Sequence, residues 1–169
     1  MKKTVWVIDD DDSIRWVLDK ALGQAGIPIK AFDSADEAMH LFPNELPLTV
    51  LSDIRMPGSS GLDFLQKIQT EFPQIPVIIM TAHSDLDSAV NSFELGAYEY
   101  LAKPFDIDEV VNVVQRAINS RSESDPQITN QITPSGEILG SAPAMQEVFK
   151  AIGRLSSSSF TVLINGESG

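Results

Sequence analysis

Residues 48–81 read "LTVLSDIRMPGSSGLDFLQKIQTEFPQIPVIIMT". Two short runs, Leu48 to Asp53 and Pro76 to Thr81, are apolar on both faces, and between them Gly61 to Phe72 spaces its apolar residues as a helix does. A strand that presents apolar side chains on both faces needs a cover on both, the condition of a parallel sheet between two layers of helices. The stretch therefore reads as strand, helix, strand, closed by a right-handed crossover. Its first strand ends in an acid, Asp53.

The alternation continues in both directions. Thr4 to Asp9, Pro28 to Phe32 and Ala97 to Ala102 read as further strands, and Ser13 to Ala25, Ser34 to Phe42, Ser84 to Leu95 and Asp106 to Ser120 as helices. In the first helix Val17, Ala21 and Leu22 fall on one face. Five βα units make an open α/β sandwich over residues 1–120. From Arg121 the text turns to "RSESDPQITNQITPSGE", without an apolar stripe, and 121–137 reads as a linker. A second unit, 138–169, opens with Met145, Val148, Phe149, Ile152 and Leu155 on a helical stripe, followed by the strand-like "FTVLI" and then "NGESG".

The chain's 169 residues are 43% hydrophobic, enough to build a core, and its net charge of −12 argues against holding DNA by itself, because phosphate neutralisation needs clustered Lys and Arg. With no cysteine, disulfides and thiol catalysis are excluded. No apolar stretch is long enough for a bilayer and the amino terminus has no secretory pattern, so neither a membrane nor export is expected; the expected location is the cytoplasm.

In open parallel sheets ligands sit outside the carboxyl ends of the strands. Three of the five strands end there in chemistry: Asp9 and Asp10, Asp53, and Lys103 followed by Pro104. A strand order of 2-1-3-4-5 would make the first and third strands neighbours and bring their acids to one mouth. Two unit charges ~5 Å apart at an effective dielectric of ~20 repel by roughly 3 kcal/mol, so the cluster calls for a cation or added protons. Hard oxygen ligands without His or Cys point to Mg²⁺. A carboxylate beside Mg²⁺ with a Lys nearby suits phosphoryl transfer, with an aspartyl phosphate as the covalent state. Thr81 and the amide of Ala82 offer further donors. The Lys103–Pro104 bond is expected to be cis. His40 and His83 are assigned to surface or local packing. Asp85 and Asp87 read as the acidic first turn of a helix capped by Ser84.

"VIDDDDSIR", "LSDIRMPGSSGLDFL", "VIIMTAHSD" and "YEYLAKPFD" together resemble the four signature stretches of a response-regulator receiver domain, a flavodoxin-like fold. The resemblance implies that Asp53 accepts a phosphoryl group from a phosphohistidine on a sensor histidine kinase. It also implies that Asp10 ligates Mg²⁺ directly, Asp9 through water or an outer contact, Asp53 itself, and Arg55 by its backbone carbonyl. Thr81 and Lys103 would hold the phosphoryl oxygens, and Tyr100 matches the aromatic switch position. On phosphorylation the surface from Ser84 to Phe105 would repack to present Leu86, Val90 and Phe93; the equal alternative for that stripe is plain core. Such a domain is a regulatory phosphoacceptor rather than an enzyme, and a homodimer is expected.

"FTVLINGESG" resembles the strand and opening glycine loop of a P-loop ATPase, with Gly166 and Gly169 in an incomplete loop. With the preceding "EILGSAPAMQEVFKAIGRL" it is similar to the start of the AAA+ domain of sigma-54-dependent activators, and "SDIRMPG", "PVIIMTAHSDLD" and "KPFDIDE" are most like the nitrogen regulatory protein C family. In that family the full-length protein engages sigma-54 RNA polymerase, ATP and DNA, none of which these 169 residues hold alone. The unit from residue 138 is expected to be poorly anchored, or to dock its helix on the first domain or on a second copy. A competing reading is a Mg²⁺-dependent phosphotransferase or phosphatase acting through Asp53; such enzymes want an acid two residues on, where this chain has Arg55. Within "DDDD", Asp9 and Asp10 go to the metal, Asp12 to a helix N-cap, and Asp11 to solvent.

Overall fold

The computed structural model describes residues 3–82 and 86–121, together with Glu147, Val148, Lys150, Ala151 and Arg154. Five strands, β1 (Val5–Ile8), β2 (Ile29–Phe32), β3 (Val50–Asp53), β4 (Val77–Thr81) and β5 (Glu99–Ala102), alternate with α1 (Asp12–Gln24), α2 (Ala35–Leu41), α3 (Gly61–Glu71), α4 (Leu86–Glu94) and α5 (Ile107–Ser120). All strand pairs are parallel, in the order β2-β1-β3-β4-β5. The expected five-stranded α/β sandwich and its 2-1-3-4-5 order are therefore observed, with element ends within a few residues of the sequence reading.

Strand periodicity divides the core in two. Trp6, Ile8, Val50, Ile79 and Tyr100 face α2, α3 and α4 through Ala38, Phe64, Ile68 and Phe93. Val5, Val7, Leu51, Ile78 and Leu101 face α1 and α5 through Leu18, Leu22, Val110 and Val114. Each fully buried aliphatic side chain stabilises by about 1.5–3 kcal/mol relative to an exposed one, so the three central strands hold the sheet rigid. Val17, expected on the buried face of α1, is only half-buried, and Leu18 takes its place beside Ala21 and Leu22.

The helices start where local chemistry allows. Ser60 and Asp63 form a reciprocal capping box on α3, Ser34 caps α2, and Asp106 caps α5 through the amide of Asp108. The cap of α1 corrects the sequence reading. Asp11, not Asp12, is the N-cap: its backbone is extended and its carboxylate accepts from the Ser13 amide at 2.8 Å. The helix begins one residue earlier than expected, so Asp12 lies inside the first turn, where it pairs with Arg15. Asp11 is not the idle residue of the run.

Gly61 allows α3 to start against β3. A Cβ there would lie 1.9 Å from the carbonyl oxygen of Asp53, while the Gly61 amide donates to the Ile54 carbonyl at 2.9 Å. Only a residue without a side chain fits that seam.

The Lys103–Pro104 bond is cis as expected, and Phe42–Pro43 is cis as well. His40 is exposed in the last turn of α2. Phe93 is buried and Val90 half-buried, so the α4 stripe serves the core in this structure. Among the described residues no helix is long and apolar enough to cross a membrane. The proposed cap Ser84, His83 and Asp85, the linker after Arg121, Met145, the strand-like "FTVLI" and the incomplete loop at Gly166 and Gly169 lie outside the described residues.

Of the second unit, Glu147, Val148, Lys150, Ala151 and Arg154 are helical, and Lys150 and Arg154 touch the first domain. Lys150 and Arg154 meet Glu109 of α5 and Glu99 of β5. Val148, of the expected apolar stripe, is 38% exposed, whereas Lys150 is 5% exposed; Met145, Phe149, Ile152 and Leu155 lie outside the described residues. The helix meets an acidic edge, so its cations turn inward.

Candidate phosphoacceptor and metal site

Strand order brings the ends of β1 and β3 together, and with them three carboxylates. One oxygen each from Asp9, Asp10 and Asp53 lies within 4.8 Å of the others. Asp9 is fully buried and Asp53 is 6% exposed, while Asp10 is exposed. Lys103, just past β5, reaches across the mouth and donates from Nζ to Asp9 Oδ2 at 2.7 Å, and its ammonium lies 2.9 Å from Asp53 Oδ1. The lysine is thus shared between two acids. The Arg55 amide donates to Asp53 Oδ2 at 3.0 Å, and the Asp11 amide to Asp9 Oδ1 at 3.0 Å.

The same residues, with Asp10, Ile14, Thr81 and Ala82, line a cavity of about 330 Å³. Thr81 is buried at the end of β4, its carbonyl accepting the Lys103 amide at 2.7 Å. Tyr100 is fully enclosed in the core on the next strand. Each residue expected at the site from the first domain therefore stands at this mouth, except Tyr100, which lies behind it.

Electrostatics follow from two acids competing for one ammonium. Burial is the chief influence on Asp53 and pushes its carboxyl above the usual value; Lys103 offsets this in part and the charge of Asp9 adds to it. Burial would push Lys103 down, but its bonds to both Asp9 and Asp53 prevail and hold the ammonium above its ordinary value. The lysine is firmly charged, and the acids are left with surplus negative charge. Asp11 is held below the usual carboxylate range, mainly by the Ser13 amide.

The residues present fit a hard divalent cation: oxygen donors only, clustered, incompletely neutralised by one lysine. Sequence reasoning missed two contributors. Arg15 anchors the β1–α1 turn by donating from Nη1 to the Asp9 carbonyl at 2.5 Å, and Ile14 supplies the cavity's apolar wall. For Arg15 the spacing to the acids was visible, but its target is a backbone atom, which no side-chain pattern reveals.

Comparison with known proteins places this arrangement. Residues 5–115 match the family model of the response regulator receiver domain. The DNA-binding transcriptional regulator NtrC of Escherichia coli K12 is 54% identical over 166 residues, which is 98% of this chain and 35% of that protein. The chain thus spans about a third of the length of that curated relative. The solution structure of the apo receiver domain of nitrogen regulatory protein C superposes with a TM-score of 0.65 at 52% identity, covering 72% of this chain and 98% of that one. The BeF3-activated form of that domain gives a TM-score of 0.63 at 52% identity, covering 73% and 100%. With this match along the sheet and helices that carry the acids, the chain belongs to the response regulator receiver family, in its NtrC type.

Proposed function

We propose that the chain is the phosphoacceptor module of a two-component system, in which Asp53 takes a phosphoryl group from a sensor histidine kinase. One observation carries the reading: Asp53 is a buried carboxylate with Asp9, Asp10 and Lys103 gathered at the same mouth. A carboxylate oxygen of Asp53 attacks phosphorus, the bond from phosphorus to the donor nitrogen breaks, and the imidazole keeps the electron pair. Asp53 gains charge in that step, which Lys103 and the donors at the mouth offset, while Asp9 and Asp10 call for a cation. Lys103 already stands 2.9 Å from Asp53 and provides an ammonium for a phosphoryl oxygen. Thr81 lines the cavity to offer its hydroxyl, and the Arg55 amide holds the other Asp53 oxygen. These groups are preorganised, so little reorganisation accompanies the transfer.

Mg²⁺ held by Asp9, Asp10, Asp53 and the Arg55 carbonyl would neutralise charge developing on the transferred group. Tyr100, one strand residue from Glu99 and three from Lys103, is the proposed switch residue, its rotamer following Thr81. The domain regulates and does not turn over substrates; ATP hydrolysis belongs to a longer protein. There the module would control a sigma-54-dependent activator in nitrogen regulation, as a cytoplasmic homodimer, with sigma-54 RNA polymerase, ATP and DNA as partners of the remaining domains. The NtrC relatives and the BeF3-activated NtrC receiver support this reading.

The test is intact mass spectrometry after incubation with Mg²⁺ and acetyl phosphate or a phosphorylated histidine kinase. One added phosphoryl group that disappears in Asp53→Ala is expected. Gain of mass in that variant, or steady hydrolysis of unrelated phosphate esters, would overturn the assignment.

A further inference from the structure

Outside the acid pocket the described residues bury one other charged cluster. Glu99, at the start of β5, is 3% exposed, and Lys150 is 5% exposed. Lys150 Nζ donates to Glu109 Oε1 at 3.1 Å and to Glu147 Oε1 at 3.1 Å. Arg154 donates to Glu99 Oε2, while Glu99 Oε1 accepts the Tyr100 amide at 3.1 Å. The Arg154 guanidinium also lies 5.5 Å from the ring centroid of Phe93 on α4, within cation–π range. Arg116 of α5 stands 3.9 Å from Glu99 and is mostly exposed, so it is a poor substitute for Arg154.

A buried acid needs a partner, and an unpaired charge in such a place is costly. Glu99 with Arg154, and Lys150 with Glu109, satisfy that need across sequence separations that no secondary structure spans. Burial alone would push the Lys150 ammonium down, yet the field of Glu99, Glu147 and Glu109, with the Glu147 hydrogen bond, holds it above its ordinary value. The cluster is therefore a matched set of charges rather than a strained accident of packing.

We infer that the edge formed by Phe93, Glu99 and Glu109 is a docking surface for the chain's own segment that carries Lys150 and Arg154, with these two side chains as its electrostatic pins. The occupant is intramolecular and cationic on its inward face. A second protein or a second copy that approaches this edge must first displace it, and it needs basic side chains of its own to replace the pins. None of these residues lines the acid pocket, and the contact is that of the unphosphorylated chain.

The chain has no cysteine, so Ala151→Cys, at an exposed position, gives one attachment point for a nitroxide label. In the labelled 169-residue chain, amide NMR signals of residues 93–99 and 109–116 should broaden, and reduction of the nitroxide should restore them. Adding Lys150→Ala and Arg154→Ala should abolish the broadening while the signals of residues 5–81 keep their positions, which shows that the receiver is still folded. Absence of broadening in the parent label, or broadening unchanged without the two cations, would overturn the inference. Broadening seen only on an unlabelled copy mixed with a labelled one would overturn it too, because the contact would then lie between molecules.

Discussion

Replacing Lys103 by Met should expose how much the fold depends on one ammonium serving two acids. The lysine lies 2.7 Å from Asp9 and 2.9 Å from Asp53, and both acids are nearly excluded from water. Removing one partner of a buried ion pair typically costs 3–5 kcal/mol. The cavity opens to solvent, so the low end applies, and a loss of about 3 kcal/mol is expected at pH 7. With urea m-values of roughly 1–3 kcal/mol/M, the unfolding midpoint should fall by about 1–3 M. The diagnostic step is the second substitution. In Lys103→Met, Asp53→Asn removes the carboxylate that repels Asp9 and should return about 2 kcal/mol, a coupling within the range found for residues in contact.

The sign with pH is fixed by Asp53. Its folded pKa is raised above the ordinary 3.8, so ionisation opposes folding: the stabilising contribution is complete below pH 3.8 and is lost as pH rises through the folded value. Asp53→Asn in the parent chain should therefore gain stability at pH 7. Urea titrations of the four proteins at pH 5 and 7 decide it. An unchanged midpoint for Lys103→Met, or no recovery in the double variant, would refute the charge balance described above.

Further outcomes are expected at neighbouring positions. Asp11→Ala should cost about 1 kcal/mol by loss of the cap, whereas Asp12→Ala removes only an exposed pair worth a few tenths, and thermal unfolding should rank them in that order. Mg²⁺ affinity, read by calorimetry, should fall most for Asp10→Ala, less for Asp9→Ala and little for Asp11→Ala; equal losses at Asp10 and Asp11 would show that the metal register is wrong. Gly61→Ala places a methyl 1.9 Å from the Asp53 carbonyl oxygen, so α3 must shift: a stability loss of more than about 1 kcal/mol and weakened Mg²⁺ binding should appear together.

The five parallel βα units were legible in the sequence from periodicity, because strands apolar on both faces need helices on both sides. The order 2-1-3-4-5 was a condition rather than a derivation, and only under it do Asp9 and Asp53 share a mouth; Lys103 follows the edge strand β5, and its place there came from the resemblance. The cap was misplaced by one because "DDDD" offers four identical side chains, and only backbone dihedrals decide which of them reaches the Ser13 amide. Lys150 was passed over for a related reason. A helical stripe announces apolar burial, but a lysine is buried only when its partners are, and Glu99 and Glu109 lie 51 and 41 positions away in sequence. Such pairings depend on the tertiary fold rather than on local pattern.

The strand order has one more consequence. An open sheet has two edges, and the outer rows of N–H and C=O groups on β2 and β5 are places where another chain could add a strand. Each edge strand carries a paired ion: Lys30 on β2, 2.7 Å from Glu45, and Glu99 on β5, joined to Arg154. A foreign strand arriving at either edge would meet a charge already committed to a partner and would leave one ion unpaired on being incorporated. Edge-to-edge pairing is therefore expected to be opposed by an ion pair at each end of the sheet, one of them supplied from outside the domain it protects.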